Sequence, residues 1–565
     1  MDFGELTRKL PIGSQTFAKL RSKGKVYVDK TAFVYELAAS DCPHILTRPR
    51  RFGKSTLLST IEELFLHGVE PYEGHDSYFK GLAIEKLWHD DGTYLVLHLD
   101  LANLNSGRTV ARFEEELKKA IASFCRACEL AEPDNSSDFG ACFYSMLEHL
   151  APNSLVFLID EFDAPLLHHY NQEQELERCK DLMCQLFSAV KSHDDKFRCV
   201  FFTGTTRFQE LGLGTAGNNF TDVSQAPGFA ACCGYTTDEL KQYFAQNLRY
   251  AAALQDGCAL ETVSEAQVEA LLKRLSAWYG GYSFAGSQEN LVFSTWSVLR
   301  FFANEQATLR PYWVTEEGGR FLQLLKRFFA RTELEQIIAQ VSQGEFVLGG
   351  KELVQASLIT PKNPYSLLFQ TGYLTLSKRF RAAGKAHLAC PNRETLWGLT
   401  NLLARHFFSL ELDLCTNSSS RKVLAALTSL DAEQIRAAFN EAIGTLPYSH
   451  RPENEFWAAD LIIMLLFGLG YKPRVEVMSL NGRADCVFDL PGLQTTIVLE
   501  FKYEESSDPK KLDAKLAEAL QQIKDRKYAL DGNSEPRVAR FGIVFCGAPG
   551  ARGIARVGMA DLIER

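Results

Sequence analysis

Four short apolar runs, separated by stretches with helical periodicity, do most to limit how the first 235 residues can fold. The runs are rich in β-branched and aromatic residues, and they read HILTR, YLVLHLDL, SLVFLIDEF and CVFFTGT. Strands that alternate with helices are typical of a parallel sheet covered by helices on its faces. We therefore predict an α/β fold, with a parallel sheet and flanking helices, for about residues 1–235.

The remaining chain divides into two parts by its periodicity. Helical periodicity dominates from about residue 236 to 390 and predicts a helical lid or connecting region. From about residue 391, helices continue to about 471, and then come three closely spaced strand candidates, a Lys-rich helix and a last strand, RFGIVFCG. A chain of 565 residues exceeds what one core usually organises. The predicted domains are therefore 1–235, 236–390 and 391–565.

Composition limits the class of protein and its compartment. With 61 Lys plus Arg against 70 Asp plus Glu, the net charge of −9 argues against a uniformly basic nucleic-acid binder but permits local basic faces. The N-terminus has no apolar signal region, and the longest apolar run, LIIMLLFGLGY, is too short to span a membrane. Fourteen cysteines without a repeated metal-ligand spacing favour reduced thiols over a zinc site. We predict a cytoplasmic protein with no membrane partner.

The segment RPRRFGKST, residues 48–56, is a candidate phosphate loop. Gly53, Lys54 and Ser55 match the end of the G-x-x-x-x-G-K-[ST] pattern, whose backbone N–H groups, Lys and hydroxyl hold phosphates and Mg²⁺. Arg48 stands where the pattern has its first Gly, and Pro49 removes one N–H group. A bare G-K-[ST] arises by chance in about one in three chains of this length. The preceding strand and following amphipathic helix place the loop at a helix N-terminus, where anions bind.

Two further strand ends carry polar residues suited to nucleotide chemistry. LVFLIDEFD brings Asp160, which would hold Mg²⁺, and Glu161, which would orient or deprotonate the attacking water, to the end of an apolar strand. The alternative is an acidic turn after a buried strand. CVFFTGTTRF adds Thr203 as a sensor of the γ-phosphate and Arg207 as a stabiliser of transition-state charge. A turn hydroxyl and a surface arginine explain these two residues equally well.

A second constellation lies near the C-terminus, in GRADCVFDLPGLQTTIVLEFK. Glu500 and Lys502 are two apart on an extended strand and share a face with Val498, and a hairpin would bring Asp485 alongside them. Converging carboxylates can hold one or two Mg²⁺ ions that activate water against a phosphodiester, with Lys502 stabilising charge or positioning that water. This is the D-(x)n-E-x-K pattern of metal-dependent nucleases. The alternative is an exposed strand with a salt bridge across strands.

Ordered motifs along nearly the whole chain resemble those of one family. VYVDKT, LTRPRRFGKST, LIDEFDAPL, TGTTRF, WYGGYSF, STWSVLRFF and FQTGYLTLS are similar to segments of the bacterial AAA-ATPase-like proteins that carry a C-terminal PD-(D/E)XK nuclease-like domain. The resemblance implies a P-loop NTPase domain of RecA/AAA type, a helical middle region and a restriction-endonuclease-like α/β domain. It also implies that Arg at position 48 is the family's own form of the loop.

The resemblance also assigns roles at the C-terminal site. GRADCVFD, LEFK and ALQQIKDRKYA are similar to the nuclease family's motifs. They imply that Glu455, Asp485 and Glu500 bind the metal, that Lys502 is the catalytic lysine and that Gln522 and Tyr528 support it.

The predicted sites and cofactors are the following. The predicted cofactors are ATP and Mg²⁺, with Mn²⁺ as an alternative metal at the nuclease site, and Ser55 and Asp160 are the predicted metal ligands of the nucleotide site. The residues predicted to bind the nucleotide and its metal are Arg48, Arg51, Gly53, Lys54, Ser55, Thr56, Asp160, Thr203 and Arg207. The predicted catalytic residues are Glu161, Glu455, Asp485, Glu500, Lys502, Gln522 and Tyr528.

The leading hypothesis is an ATP-binding and ATP-hydrolysing protein coupled to a Mg²⁺-dependent nuclease, acting in phage defence or DNA processing. The predicted partners are nucleic acid, with DNA favoured over RNA, and a second copy of the chain. The alternative is a regulatory NTPase switch whose nuclease-like domain binds nucleic acid or protein without cutting. A scaffold whose two sites only stabilise the fold is a third hypothesis.

Overall fold

A computed structural model describes most of the chain. The described residues are 3–105, 109–133, 138–206, 219–286, 290–313, 337, 346–349, 364–377, 385–408, 418–444, 455–469, 471, 473–479, 482–490, 493–526 and 536–564.

The chain forms two compact units. One comprises residues 1–313 and 347–392, and the other comprises 314–346 and 393–565. The division into three domains at 235/236 and 390/391 stays a prediction.

The first part of the chain alternates strands with helices, as its apolar runs predict. The elements are α1 (Phe3–Lys9), α2 (Phe17–Ser22), α3 (Thr31–Ala38), β1 (His44–Thr47), α4 (Lys54–His67), β2 (Leu95–Asp100), α5 (Leu101–Leu104), α6 (Val110–Ala127), α7 (Phe139–Glu148), β3 (Leu155–Asp160), α8 (Ala164–His169), α9 (Glu173–Ser192), β4 (Phe197–Gly204) and β5 (Thr221–Asp222).

These strands form a five-stranded parallel sheet in the order β2-β3-β4-β1-β5. Alternate residues of β3 enter opposite cores, because side chains of a strand point alternately to the two faces of a sheet. Phe157 and Ile159 pack in one core with residues of α6, α7 and α9, whereas Val156 and Leu158 pack in the other with residues of α2, α3 and α4. All of β3 is buried, with helices on both faces of the sheet. Because the strands are parallel, the carboxyl ends of the central strands lie at one edge of the sheet.

The middle region is mostly helical up to residue 302, and a small sheet follows. Its elements are α10 (Thr237–Tyr243), α11 (Ala245–Asp256), α12 (Glu265–Tyr279), α13 (Thr295–Phe302), β6 (Phe346–Gly349), α14 (Pro364–Gln370), β7 (Thr375–Leu376) and β8 (Lys385–Ala389). Capping boxes fix two of the helix starts, with Thr236 and Glu239 at α10 and Ser264 and Gln267 at α12. The strands pair in the order β6-β8-β7.

The C-terminal part begins with helices and continues into a mixed sheet. Its elements are α15 (Arg393–Phe408), α16 (Ser418–Ser429), α17 (Ala432–Gly444), α18 (Glu455–Gly468), β9 (Arg474–Ser479), β10 (Gly482–Leu490), β11 (Thr495–Glu504), α19 (Pro509–Arg526), β12 (Arg537–Cys546) and β13 (Gly553–Glu564). The sheet order is β13-β12-β11-β10-β9, with β11 and β12 parallel and the other pairs antiparallel.

Helix α19 lies close to this sheet because two glycines leave room for it. A Cβ atom at Gly542 on β12 would lie 3.0 Å from the Cβ of Ala519, and one at Gly558 on β13 would lie 3.2 Å from Leu516. Ile523 of α19 packs with Val498 of β11 in the core on this side. The helix therefore covers the face of β11 that carries Val498.

The structure refines the sequence prediction in a few elements. TTDELKQYFAQNLRY, read as one helical stretch, divides at Phe244 into α10 and α11. The short strand β5 was not predicted, nor was β13, which adds a strand after RFGIVFCG. The described cysteines form no disulfide bonds with one another. Among the described helices, none has both the length and the apolar character needed to cross a membrane.

Candidate functional site

The candidate phosphate loop joins β1 to α4 at the carboxyl edge of the parallel sheet. Gly53 adopts φ 97°, a left-handed conformation that favours glycine, and its carbonyl accepts the first helical bond from the Leu57 N–H at 3.0 Å. Ser55 and Thr56 lie half-buried in the first turn of α4. The loop therefore lies at the N-terminus of a buried helix, where unpaired N–H groups favour an anion.

Lys54 is buried, with 4% of its surface exposed. Its ammonium donates to the carbonyls of Arg48 at 3.0 Å and Pro49 at 3.3 Å. The lysine side chain thus folds back over the start of its own loop. Its positive charge lies near the end of β3, where it lowers the pKa of the Glu161 carboxyl and so opposes the effect of burial.

Arg48 lies almost wholly buried beneath the loop, with 2% exposure. Its guanidinium donates to the carbonyls of Thr47, Ser224 and Phe229 at 2.9, 2.6 and 2.9 Å. It also stacks 4.3 Å from the ring centre of Phe284. The side chain braces the loop against residues 224–229, and contact between this guanidinium and a phosphate would require these bonds to break. Nucleotide binding by Arg48 stays a prediction.

The next two arginines lie on different sides of the loop. Arg50 approaches Glu161 at 3.9 Å, with 39% of its side chain exposed. Arg51 adopts a left-handed φ of 68° and places its guanidinium 4.6 Å from the ring centre of Trp296. The three arginines therefore have three different environments.

Asp160 ends β3 with only 5% exposure. Its Oδ1 accepts from the Thr203 hydroxyl at 2.5 Å and from the Glu161 N–H at 2.9 Å. The Thr203 hydroxyl thus donates a hydrogen bond to Asp160, a predicted metal ligand. Its role as a sensor of the γ-phosphate stays a prediction. The contact orients the Asp160 carboxylate from the neighbouring strand.

Glu161 adopts a left-handed φ of 51°, which is uncommon for a residue with a side chain. Burial raises the pKa of this carboxyl, and the positive charges of Lys54 and Arg50 oppose that rise. A raised pKa suits a carboxylate that takes a proton from water near neutral pH.

Sequence reasoning missed Asp163, the third acid of LIDEFD. It is fully buried, and its carboxylate accepts from the Thr205 N–H at 3.1 and 3.2 Å and from the Thr206 N–H at 2.8 Å. Its position in the sequence, three residues after Asp160 in the same motif, could have indicated that it belongs to the site. Asp163 thereby fixes the backbone that follows β4, whereas predicted residue Arg207 lies outside the described residues.

The N-terminal site offers hard oxygen donors to Mg²⁺, namely the Ser55 hydroxyl and the Asp160 carboxylate. Mg²⁺ is usually held by one or two such groups together with water and substrate phosphates. The residue types therefore fit the ion.

The C-terminal constellation lies on the antiparallel pair β10–β11. Cys486 pairs with Leu499, and Oδ2 of Asp485 accepts from the Phe501 N–H at 2.8 Å. The hairpin expected from the sequence therefore brings Asp485 next to the segment that carries Glu500 and Lys502.

Glu500 and Lys502 face α19 and are both buried, with exposures of 0% and 8%. Nζ of Lys502 lies 3.4 Å from Oε1 of Glu500 and donates to the Phe501 carbonyl at 3.1 Å. The Gln522 amide from α19 donates to the same Oε1 of Glu500. The structure thus brings Glu500, Lys502 and Gln522 together beside Asp485.

For two predicted residues of this site, Glu455 and Tyr528, the side-chain positions lie outside the described residues. Glu455 is the first residue of α18, but its side chain lies outside the described residues, as does all of Tyr528. Across the described part of the chain, no group of three or more His, Cys, Asp or Glu has the arrangement of a metal site. Asp485 and Glu500 supply two carboxylates, the ligand type that Mg²⁺ prefers, and in this respect the donor set fits the ion.

Comparison with known proteins agrees with this division of sites. Residues 11–214 match the family described as predicted AAA-ATPase, and residues 453–553 match the PD-(D/E)XK nuclease superfamily. The chain is also similar to the "Uncharacterized protein in vnfD 5'region" of Azotobacter chroococcum mcd 1. The two are 27% identical over 539 residues, which cover 92% of this chain and 93% of that protein. This polypeptide therefore combines an AAA-ATPase-like domain with a C-terminal domain of the PD-(D/E)XK nuclease superfamily.

Proposed function

We propose that this protein binds and hydrolyses ATP and that its C-terminal domain cleaves nucleic acid phosphodiesters with a divalent metal. The observation that carries the nuclease assignment is the contact of Lys502 and Gln522 with one oxygen of Glu500, beside Asp485 on the neighbouring strand. A salt bridge on an exposed strand, the alternative reading of E-x-K, does not explain a carboxylate with 0% exposure.

At the nuclease site each side chain has a task that follows from its position. Asp485 and Glu500 would hold Mg²⁺ or Mn²⁺, and the Lys502 ammonium would stabilise negative charge on the phosphate or position the attacking water. The Gln522 amide orients the Glu500 carboxylate. A bound metal ion would polarise the phosphodiester and acidify a water molecule.

At the nucleotide site the loop N–H groups and Lys54 would hold the phosphates, and Ser55 and Asp160 would hold Mg²⁺. Glu161 would accept a proton from the attacking water, and Arg50, 3.9 Å from Glu161, adds positive charge at the same edge of the sheet. Thr203 supports this arrangement by fixing the Asp160 carboxylate.

The deciding experiment is a cleavage panel with the full-length protein. Single- and double-stranded DNA and RNA are incubated with Mg²⁺ or Mn²⁺, with and without ATP. We expect Asp485→Asn and Lys502→Met to lower metal-dependent cleavage by at least about 100-fold, the scale of loss for a group that acts in the transition state.

Asp489→Asn is the matched control for Asp485→Asn. Asp489 lies on the same strand, bonds to Thr496 at 2.7 Å and is 39% exposed on its side chain. Cleavage that survives in both site variants as well as in the control would refute the nuclease assignment. Binding of nucleic acid without cutting by the wild type would instead favour a regulatory NTPase switch.

The panel also bears on the identity of the partner. DNA as the preferred substrate, a homo-oligomeric state and a cytoplasmic location stay predictions. Sedimentation of the protein with and without nucleotide, run beside the cleavage panel, measures the oligomeric state directly.

A further inference from the structure

Every backbone carbonyl of the phosphate loop from residue 48 to residue 52 accepts a hydrogen bond. Lys54 holds the first two. The other three bonds run from the Trp313 Nε1–H to the Arg50 carbonyl at 3.2 Å, from the Thr295 hydroxyl to the Arg51 carbonyl at 2.6 Å, and from the Gly234 N–H to the Phe52 carbonyl at 2.9 Å.

These three donors come from distant parts of the chain. Thr295 is the first residue of α13, 244 residues from Arg51, and Trp313 is 263 residues from Arg50. Both donors lie beyond residues 11–214, the segment that matches the AAA-ATPase-like family. Residues outside the matched segment therefore hold the loop, within the same compact unit.

Holding a carbonyl also fixes the direction of the next N–H group. A trans peptide is planar, so its C=O and the following N–H point in opposite directions. Among the described residues no peptide bond is cis. With the carbonyls of Arg50, Arg51 and Phe52 held by these donors, the N–H group of each following residue points away from the donor of the carbonyl before it.

The backbone conformation of the loop also suits an anion. Arg51 and Gly53 both have left-handed φ values, 68° and 97°, within two residues of each other. Alternation between right- and left-handed conformations makes successive N–H groups converge on an anion. The left-handed conformation of Arg51 is unfavourable for a residue with a side chain, so it persists only where surrounding contacts impose it.

We propose that Thr295 and Trp313 are positioning residues of the phosphate loop. They hold the Arg51 and Arg50 carbonyls so that the loop N–H groups are already directed at a phosphate before nucleotide binds. This inference rests on the proposed binding of ATP. Stacking of Arg51 on Trp296, the neighbour of Thr295, reinforces the same conformation.

The test is nucleotide affinity measured by calorimetry on the full-length protein, with ATP, ADP and AMP as ligands. Thr295→Val removes the hydroxyl with little change of shape, and Trp313→Phe removes the N–H but keeps a ring. We expect the loss of one such bond to weaken the binding of ATP and ADP by about tenfold in each variant, which corresponds to about 1.4 kcal/mol. AMP keeps only the α-phosphate of the two that such a loop cradles, so we expect its affinity to fall less than that of ATP and ADP.

Thr295→Ser keeps the donor and is expected to bind ATP as the wild type does. Thr262→Val is the matched control, because the Thr262 hydroxyl donates to the Ala259 carbonyl at 2.8 Å in a turn of the middle region. Melting temperatures without nucleotide are measured for all variants, because a purely structural role would lower them without changing affinity.

Wild-type affinity for ATP and ADP in both Thr295→Val and Trp313→Phe would overturn this inference alone. Failure of the wild type to bind ATP would overturn the proposed function and this inference with it. Equal loss of AMP affinity would also overturn it, because the effect would then not depend on the β-phosphate, which ATP and ADP have and AMP lacks.

Discussion

Arg48 occupies the position of the first glycine in the phosphate-loop pattern, and its side chain is buried. Its bonds to the Ser224 and Phe229 carbonyls tie the start of the loop to a segment about 180 residues away. A glycine could not make these contacts. Arginine at this position lacks the conformational freedom of glycine, but its side chain links the loop to residues 224–229. The left-handed backbone conformations of the loop occur instead at Arg51 and Gly53.

We predict that Arg48→Met lowers the free energy of unfolding by about 3 kcal/mol, because it leaves buried carbonyls without their charged donor. Nucleotide affinity of the folded variant should stay within about threefold of the wild type. Urea denaturation and calorimetry measure the two quantities. The control, Arg112→Met, removes an exposed arginine with a 3.9 Å ion pair to Glu116 and should cost under about 1 kcal/mol. Unchanged stability with lost nucleotide binding would mean that Arg48 contacts the nucleotide.

Glu161 is the proposed proton acceptor of the nucleotide site, and burial raises the pKa of its carboxyl. We expect Glu161→Gln to lower ATP turnover by about 10²- to 10⁴-fold, because the amide cannot accept a proton from water. ATP affinity should persist, since the loop and Lys54 hold the phosphates. Steady-state hydrolysis and calorimetry separate these effects. Glu73→Gln, at an exposed glutamate with a similar φ of 49°, is the control.

The substitution Glu161→Gln should also change the stability of the protein, in a direction that depends on pH. Burial raises the pKa of Glu161 in the folded protein, so the folded state binds this proton more tightly than the unfolded state does. Stability therefore falls as pH rises from the ordinary glutamate pKa of 4.5 through the raised folded value. We expect Glu161→Gln to melt at a higher temperature than the wild type at neutral pH and at the same temperature below pH ~4. A lower melting temperature at neutral pH would contradict this assignment.

Among the secondary-structure elements, β4 is the one that connects the parts of the nucleotide site. It lies between β1 and β3, and its last residue, Gly204, accepts a bond from the Arg48 N–H at 3.1 Å. A Cβ at Gly204 would lie 2.6 Å from Phe162 and 2.7 Å from the Asp163 carboxylate. The strand end therefore needs glycine, because the loop after β3 passes directly over it.

We predict that Gly204→Ala destabilises the protein by about 1–3 kcal/mol through overpacking. It should also lower ATP turnover, because Phe162 and Asp163 must shift next to Asp160 and Glu161. Gly228→Ala is the matched control, since a Cβ there meets nothing within 4 Å and its φ is not positive. Thermal denaturation and ATP hydrolysis are measured for both variants, and wild-type values for Gly204→Ala in both assays would refute the role given to this strand end.

At the scale of the whole molecule, the two candidate sites lie in different compact units. Lys54 and Asp160 belong to the first unit, and Asp485, Glu500 and Lys502 belong to the second. Each site therefore has its own core and its own supporting residues, and any influence of ATP on cleavage must pass between the two units.

We predict that Lys54→Ala removes the effect of ATP on cleavage and leaves cleavage without ATP at the wild-type rate. The reciprocal variant, Lys502→Met, should abolish cleavage and keep ATP hydrolysis within about twofold of the wild type, because the hydrogen bonds described for each lysine run to groups of its own unit. Cleavage and hydrolysis are assayed on the same preparations. A loss of ATP hydrolysis in Lys502→Met comparable to its loss of cleavage would show that the two sites work as one.

Much of the sheet and both candidate sites could be predicted from local pattern. The apolar runs that form β1 to β4, the helix after Gly53 and the acids at the end of β3 all follow from periodicity and residue type. Strand alternation likewise placed Glu500 and Lys502 on one face, and they are in contact. Strand β5, with two residues, is too short for a periodic signal, and β13 has no continuous apolar run.

The sequence by itself determined which residue types stand at the ends of the strands, because strand and helix periodicities are local properties of the chain. Only the tertiary structure decided what surrounds them. Arg48 has its acceptors about 180 residues away, and the Arg51 carbonyl has its donor, Thr295, 244 residues away. No periodicity relates residues at such separations. Hydrogen bonds from Thr295 and Trp313 hold the backbone of a loop whose sequence lacks the first glycine of the pattern.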